Sequence, residues 1–356
     1  MTETTPTVPS DAPTSVAGAV ERTPLLTVRD LQVTAGSGRS PLTLVDGVSF
    51  DIAEGEIFGL VGESGSGKTM TALALIGLLP AVARASGIIR LGERELIGIS
   101  EKEFRAVRGR QIGMIFQEPV SALNPVFSLE AQIKAAVRAH HHMTDRQARD
   151  RAAELLGMVG IPDPVQRLSF YPHQLSGGMC QRVMIAMALA GGARLLIADE
   201  PTTALDVTIP DEIVRLIEDL ASRAKISVLF ISHDLGLVSR LCHRIAVAYA
   251  GEIVEIGDAK TLLHTPRHPY TQGLVRCVPD LESIGVLQRG IPGHPPLPGN
   301  WPPGCRFIAR CPQSRAGCEQ RQALQHVPHA TGEVRCWRAY EHARSTNAAD
   351  GARAWA

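Results

Sequence analysis

Aromatic residues make up only 4% of this 356-residue chain, and neither sign of charge is in excess: 36 Lys and Arg stand against 36 Asp and Glu. A core with few rings must be built from aliphatic packing, and an apolar share of 44% is enough for a large domain. Nucleic-acid binders as a rule carry a basic surplus, so no nucleic-acid partner is expected. No apolar run reaches the roughly 18 residues that a membrane-spanning helix needs. The opening stretch, MTETTPTVPSDAPTSVAGAV, has neither the basic start nor the apolar centre of a secretory signal. It reads as a disordered tail, so the protein is expected in the cytosol, meeting a membrane only through a partner.

Strand-like alternation covers Leu25–Val33 and Leu42–Ile52, and Glu56–Val61 is a short apolar run typical of a buried parallel strand. A helix is expected over Lys68–Leu79, stopped by Pro80, and strand-like spacing returns over residues 86–98. Residues 130–160 read as helical, as does Gly177–Leu189. A strand at Leu195–Ala198, a helix at Asp211–Arg223 and a strand at Ser227–Ile231 continue the alternation, which argues for a parallel sheet covered by helices. Val247–Ile256 reads as a hairpin turning at Ala250-Gly251. Beyond Thr265 the chain becomes Pro-, Gly- and Cys-rich, and a separate appendage is expected there.

Between the apolar run and the first helix lies Gly62-Glu63-Ser64-Gly65-Ser66-Gly67-Lys68-Thr69, which fits G-x-x-x-x-G-K-[ST] in the required strand-to-helix context. Glycines let the backbone curl until its N–H groups converge on phosphate oxygens, and the helix start adds its positive dipole end. Lys68 is placed to neutralise β- and γ-phosphates and the Thr69 hydroxyl to hold Mg²⁺. Leu195–Glu200 is an apolar strand closed by two acids; Asp199 is expected to reach Mg²⁺ and Glu200 to polarise an attacking water. His233, ending the run Ile231-Ser232-His233-Asp234, is placed to contact the γ-phosphate.

Leu175-Ser176-Gly177-Gly178-Met179, followed by Gln181-Arg182, resembles the signature sequence of ABC ATPases. Gln117, after Ile112–Phe116, resembles that family's Q-loop, and Ala204-Leu205-Asp206 its D-loop. All these elements keep family order and spacing over about residues 25–260. The resemblance implies an α/β P-loop NTPase of ABC type: a parallel sheet core, an antiparallel β subdomain and a helical signature subdomain. It places the nucleotide-binding domain at 24–262, with the helical part at about 118–188, between a tail of 1–23 and an extension of 263–340 that precedes a last tail of 341–356. It further implies that two such domains dock head to tail. ATP then lies between Gly62, Ser64, Gly65, Ser66, Gly67, Lys68 and Thr69 of one and Ser176, Gly177 and Gly178 of the other, with Asp206 at the seam. In the family Gln117 contacts Mg²⁺ or the attacking water, and Glu118–Pro125 would face the membrane subunits. One departure stands out: where the family stacks adenine on an early aromatic residue, this chain has Ala35.

His268-Pro269-Tyr270-Thr271, Pro302–Phe307 and Arg310-Cys311-Pro312 resemble the oligopeptide/dipeptide branch of ABC importers, whose relatives also import nickel complexes or glutathione. That branch works with two transmembrane permease subunits, an extracytoplasmic peptide-binding protein and a sister ATPase or second copy, at the cytoplasmic face of the inner membrane. Four cysteines, Cys305, Cys311, Cys318 and Cys336, follow C-x5-C-x6-C-x17-C without the C-x2-C pair usual for zinc. A [4Fe–4S] cluster, as relatives carry, is the expectation; Zn²⁺ and plain reduced thiols remain alternatives. A non-transport ABC ATPase is the rival reading. Its chromosome-organising members need long coiled coils between cradle and signature, and no sustained heptads occur here.

Overall fold

The structure is a computed structural model that describes residues 23–36, 41–202, 209–278, 290–327 and 332–342. The expected tails fall almost wholly outside these residues, as does Asp206. Strands β1 (Pro24–Ala35), β2 (Leu42–Ala53) and β3 (Ile57–Val61) open the chain, and helix α1 (Lys68–Leu75) follows. Next come β4 (Ala83–Leu91), β5 (Arg94–Glu95), α2 (Glu101–Val107) and β6 (Ile112–Ile115). A helical stretch contains α3 (Pro119–Ala122), α4 (Leu129–Arg138), α5 (Asp145–Met158), α6 (Pro164–Arg167) and α7 (Gly177–Leu189). The chain returns to the sheet with β7 (Leu195–Asp199), α8 (Ile209–Ala224), β8 (Ser227–Ser232), α9 (Leu235–Leu241), β9 (Arg244–Tyr249) and β10 (Glu252–Asp258). Helices α10 (Ala259–His264) and α11 (Pro269–Arg276), strands β11 (Gln325–His326) and β12 (Glu333–Val334), and α12 (Trp337–His342) complete it.

Two sheets form. The smaller runs β2-β1-β4-β5, all antiparallel; the larger runs β11-β12-β10-β9-β3-β8-β7-β6. Its five strands from β9 to β6 are parallel, and β10, β12 and β11 extend it antiparallel. Strand period two splits the core across the larger sheet. Ile57, Val61, Leu196, Ala198, Val228 and Phe230 face the helices of the signature region, whereas Phe58, Leu60, Leu195, Ile197, Leu229 and Ile231 face α1 and the smaller sheet. Both faces are covered, which is why these strands are unbroken apolar runs.

The structure corrects three expectations. Helix α1 stops at Leu75 rather than Leu79, because Gly77 takes φ 60° and its Cα sits against the Phe104 ring, where a Cβ would come within 2.6 Å. The helical stretch of 130–160 is two helices. Thr144 ends the break between them as N-cap of α5, with a reciprocal capping box to Gln147. Third, the segment after Thr265 is not detached. Strand β12 pairs with β10 (Glu255 opposite Val334), and the Arg335 N–H donates to the Val254 carbonyl at 2.8 Å. Tyr270 and Phe307 are buried against Tyr249 of β9, with ring centroids 4.5 and 5.3 Å away. Loss of periodicity marked irregular backbone, not loss of packing: rings and arginines anchor loops that cannot bury a core of their own.

Candidate nucleotide-binding site

Strands β3, β8 and β7 are neighbours, and their registers align Val61 with Ser232 and Asp199 with Ile231. Their carboxyl ends therefore share one edge of the sheet, where open α/β sheets place ligands. From β3 emerges the glycine loop, from β7 Asp199 and Glu200, and from β8 His233; β6, beside β7, leads to Gln117. One cavity of about 740 Å³ is lined by Glu63–Met70, Gln117, Glu200 and His233, together with Leu44 and Pro298. That size lies within the roughly 300–1,000 Å³ typical of small-molecule sites.

The loop geometry depends on its glycines. A Cβ on Gly62 would lie 2.1 Å from the Ala248 carbonyl oxygen, so only glycine fits. Gly67, with φ 95°, turns the chain into α1. Lys68 Nζ donates to the carbonyls of Gly62 (2.7 Å) and Glu63 (3.1 Å), folding its own loop around the ammonium. Burial lowers the Lys68 pKa, and the charges of Glu200, Asp199 and Glu63 oppose that shift. Thr69 Oγ1 donates to Asp199 Oδ1 at 3.4 Å. Burial raises the Asp199 carboxyl; the Thr69 hydrogen bond pulls it back, and the charge of Glu200 raises it further. A buried carboxylate facing a hydroxyl in this way suits a hard cation such as Mg²⁺. Glu200 Oε2 accepts from Gln117 Nε2 at 3.3 Å and lies 3.4 Å from His233 Nδ1. The Glu200 backbone has φ 46°, a left-handed conformation costing roughly 1–3 kcal/mol in a residue with a Cβ, and its N–H donates to the Ile231 carbonyl at 2.9 Å.

Gly62, Ser64, Gly65, Ser66, Gly67, Lys68, Thr69, Asp199, Glu200, Gln117 and His233 thus come together. Ser176, Gly177 and Gly178 do not line that cavity; Ser176 caps α7, accepting from the Met179 N–H at 3.3 Å, and Ser176 and Gly177 are exposed. No aromatic side chain lines the cavity among the described residues; its apolar contributions are Leu44, Met70 and Pro298. Sequence reading gave Leu44, Met70 and Pro298 no role. Pro298 lies more than 200 residues along the chain from the loop, and no local pattern signals that approach.

At the far end of the chain, Cys305, Cys311, Cys318 and Cys336 line a second, small cavity with Phe307 and Trp337. Burial pushes the Cys305 thiol up to about 12 and that of Cys336 up to about 11, and raises Cys311 too. Among the described residues no group of three or more His, Cys, Asp or Glu is placed to hold a metal ion, so neither the expected [4Fe–4S] cluster nor the Zn²⁺ alternative finds a formed ligand set here.

A glycine loop after one parallel strand, an acid pair after another and a capped helix whose start, Ser176 and Gly177, is exposed define a P-loop NTPase of ABC type. Residues 45–203 match the ABC transporter family, and residues 254–318 match the C-terminal region of oligopeptide/dipeptide transporters. The chain is 44% identical over 315 residues to the dipeptide transport ATP-binding protein DppD of Bacillus subtilis (strain 168), covering 88% of this chain and 94% of that one. To DppD of Escherichia coli (strain K12) it is 44% identical over 299 residues, 84% and 91% of the two chains. A solved dimer of MJ0796, described as a bacterial ABC transporter cassette, superposes with a TM-score of 0.59 at 26% identity, over 66% of this chain and 98% of that one. The chain belongs to the ATP-binding proteins of the oligopeptide/dipeptide ABC transporter family.

Proposed function

We propose that the protein is the ATP-hydrolysing subunit of an importer of short peptides, driven by head-to-tail closure of two nucleotide-binding domains on ATP. The observation that carries this reading is the split of the site. Glu63–Thr69, Glu200, Gln117 and His233 line one cavity, while Ser176–Gly178 lie outside it, Ser176 and Gly177 exposed. A helix start with open N–H groups is a ready anion site. Here it serves the triphosphate of a partner subunit, in line with the dimer that the MJ0796 cassette forms.

Within each site the backbone of Gly62–Thr69 cradles the phosphates and Lys68 neutralises them. Thr69, Asp199 and Gln117 would hold Mg²⁺, which supplies charge neutralisation of the phosphates when bound. Glu200 accepts a proton from the attacking water; Gln117 and His233 orient its carboxylate, and His233 meets the γ-phosphate. The adenine, without an aromatic shelf at Ala35, rests on the apolar surface of Leu44 and Pro298. Asp206 belongs at the seam by family resemblance.

No described helix is long and apolar enough to cross a membrane. Two permease subunits supply the path, an extracytoplasmic binding protein selects the peptide, and a sister ATPase or second copy completes the motor at the cytoplasmic membrane face. Exposed Phe116, Val126 and Phe127, beside the Gln117 segment, suit contact with the permeases. The test is uptake by vesicles holding the assembled transporter. ATP-dependent accumulation of labelled dipeptides is expected; uptake of nickel complexes or glutathione alone would transfer the reading to those cargoes, and no uptake despite ATP hydrolysis would refute it.

The spacing of the four cysteines, without a C-x2-C pair and on irregular loops, favours a [4Fe–4S] cluster over a single zinc ion. When bound it would cross-link irregular loops through Cys305, Cys311, Cys318 and Cys336. Anaerobically purified protein is expected to be brown and to absorb near ~400 nm, a band lost in Cys311→Ser. A colourless, iron-free preparation would sink this assignment.

A further inference from the structure

The phosphate loop contains one acid, Glu63, and this residue lines the same cavity as the rest of the loop. An unpaired anion there would oppose a triphosphate. It is not unpaired: Arg310 grips it with both terminal nitrogens, Nη1 to Oε2 at 2.7 Å and Nη2 to Oε1 at 2.9 Å. The Arg310 side chain is only 5% exposed. Its remaining donors go to the carbonyls of Pro292 (2.9 Å) and Ile291 (3.2 Å) and to Tyr249 Oη (3.3 Å), so the fork has one orientation. Tyr270 Oη, in turn, accepts from the Glu63 N–H at 2.9 Å. Lys68 Nζ binds the Glu63 carbonyl from the other side. Glu63 is thus held at carboxylate, N–H and C=O, and two of these three holds come from the segment beyond Thr265.

We infer that Arg310 is a positioning residue for ATP: it neutralises Glu63 and fixes the phosphate loop, so that nucleotide affinity depends on the cysteine-bearing C-terminal segment. A bidentate pair at a nearly buried guanidinium is a specific, charge-assisted lock, and removing one member strands the other. Arg310 directly precedes Cys311, so whatever fixes the cysteine loops also fixes the lock. Pro298 reaches the cavity from the same segment. The inference rests on the reading of Gly62–Thr69 as a triphosphate site.

The test is calorimetric binding of ATP and of inorganic tripolyphosphate to the full-length protein and three variants: Arg310→Gln, Glu63→Gln and the double variant. Arg310→Gln is expected to weaken both ligands about ten- to hundredfold, with the larger loss at low salt. Glu63→Gln removes the anion while keeping acceptors for Arg310, and should bind both ligands severalfold tighter. The double variant should recover most of the loss, because no charge is left to neutralise. Thermal midpoints for all four establish that folded protein is compared. Wild-type affinity in Arg310→Gln overturns the inference, and so does a double variant as weak as Arg310→Gln, which would make Arg310 a scaffold only. Where Arg310→Gln does not fold, weaker binding by Glu63→Gln overturns it. Failure of the underlying reading looks different: the wild-type protein would then bind neither ligand.

Discussion

Glu200→Gln is expected to bind ATP at near wild-type affinity and to hydrolyse it about 10²–10⁴-fold more slowly, the range a general base contributes. The carboxylate stands 3.3 Å from Gln117 Nε2 and 3.4 Å from His233 Nδ1, in a cavity that also holds the phosphate loop. An amide has the same shape and keeps an oxygen acceptor for Gln117, so the local architecture survives. It has no basic oxygen to take the proton of the attacking water. ATP would then persist between two subunits whose separation depends on its cleavage, and dimers should accumulate on size-exclusion chromatography with ATP and Mg²⁺. Steady-state phosphate release measures the chemistry. Turnover within about threefold of wild type would remove Glu200 from the assigned role.

Lys68→Ala is expected to lower ATP affinity by a hundredfold or more. Two effects combine. The only cation among the loop residues Gly62–Thr69 is lost, and so are its bonds to the Gly62 and Glu63 carbonyls, which tie the loop shut. Hydrogen bonds to charged groups contribute about 1.5–3 kcal/mol each, and about 1.4 kcal/mol corresponds to a factor of ten. Two such bonds made to phosphate in place of carbonyls account for the expected loss. Burial disfavours the ammonium, so an anion brought to it is expected to add to the opposing pull of Glu200, Asp199 and Glu63. Calorimetry with ATP reads the effect. A dissociation constant within about threefold of wild type would show that the loop does not bind phosphate through Lys68.

How legible these features were depended on how local their causes are. The glycine loop was readable because G-x-x-x-x-G-K-[ST] is a short fixed spacing between an apolar strand and a helix start, although what excludes a side chain at Gly62, the Ala248 carbonyl oxygen, lies far along the chain. Strands β3, β7 and β8 were readable because each is buried on both faces and so written as an apolar run. The start of α7 was readable because Ser176 caps it through a contact three residues away. The end of α1 was not: Gly77 takes its left-handed turn beneath Phe104, which arrives from a separate helix. The role of the C-terminal segment was hidden for the same reason. Its motif residues Tyr270, Phe307 and Arg310 were visible as a resemblance, but their targets, Tyr249 and Glu63, lie far along the chain.

The sequence by itself determined local features: the glycines that let the chain turn from β3 into α1, the two acids that end β7, and the serine that caps α7. These follow from residue type and short spacing, where covalent geometry leaves few choices. Only the tertiary structure decided that the carboxyl ends of β3, β8 and β7 meet at one edge, and that Arg310 reaches across to lock Glu63. It also decided that the irregular tail closes onto the sheet through Val334 and the Tyr249–Phe307 rings. Contacts between distant segments are selected by how whole faces pack and by which buried charges find partners, and neither is set by neighbours along the chain.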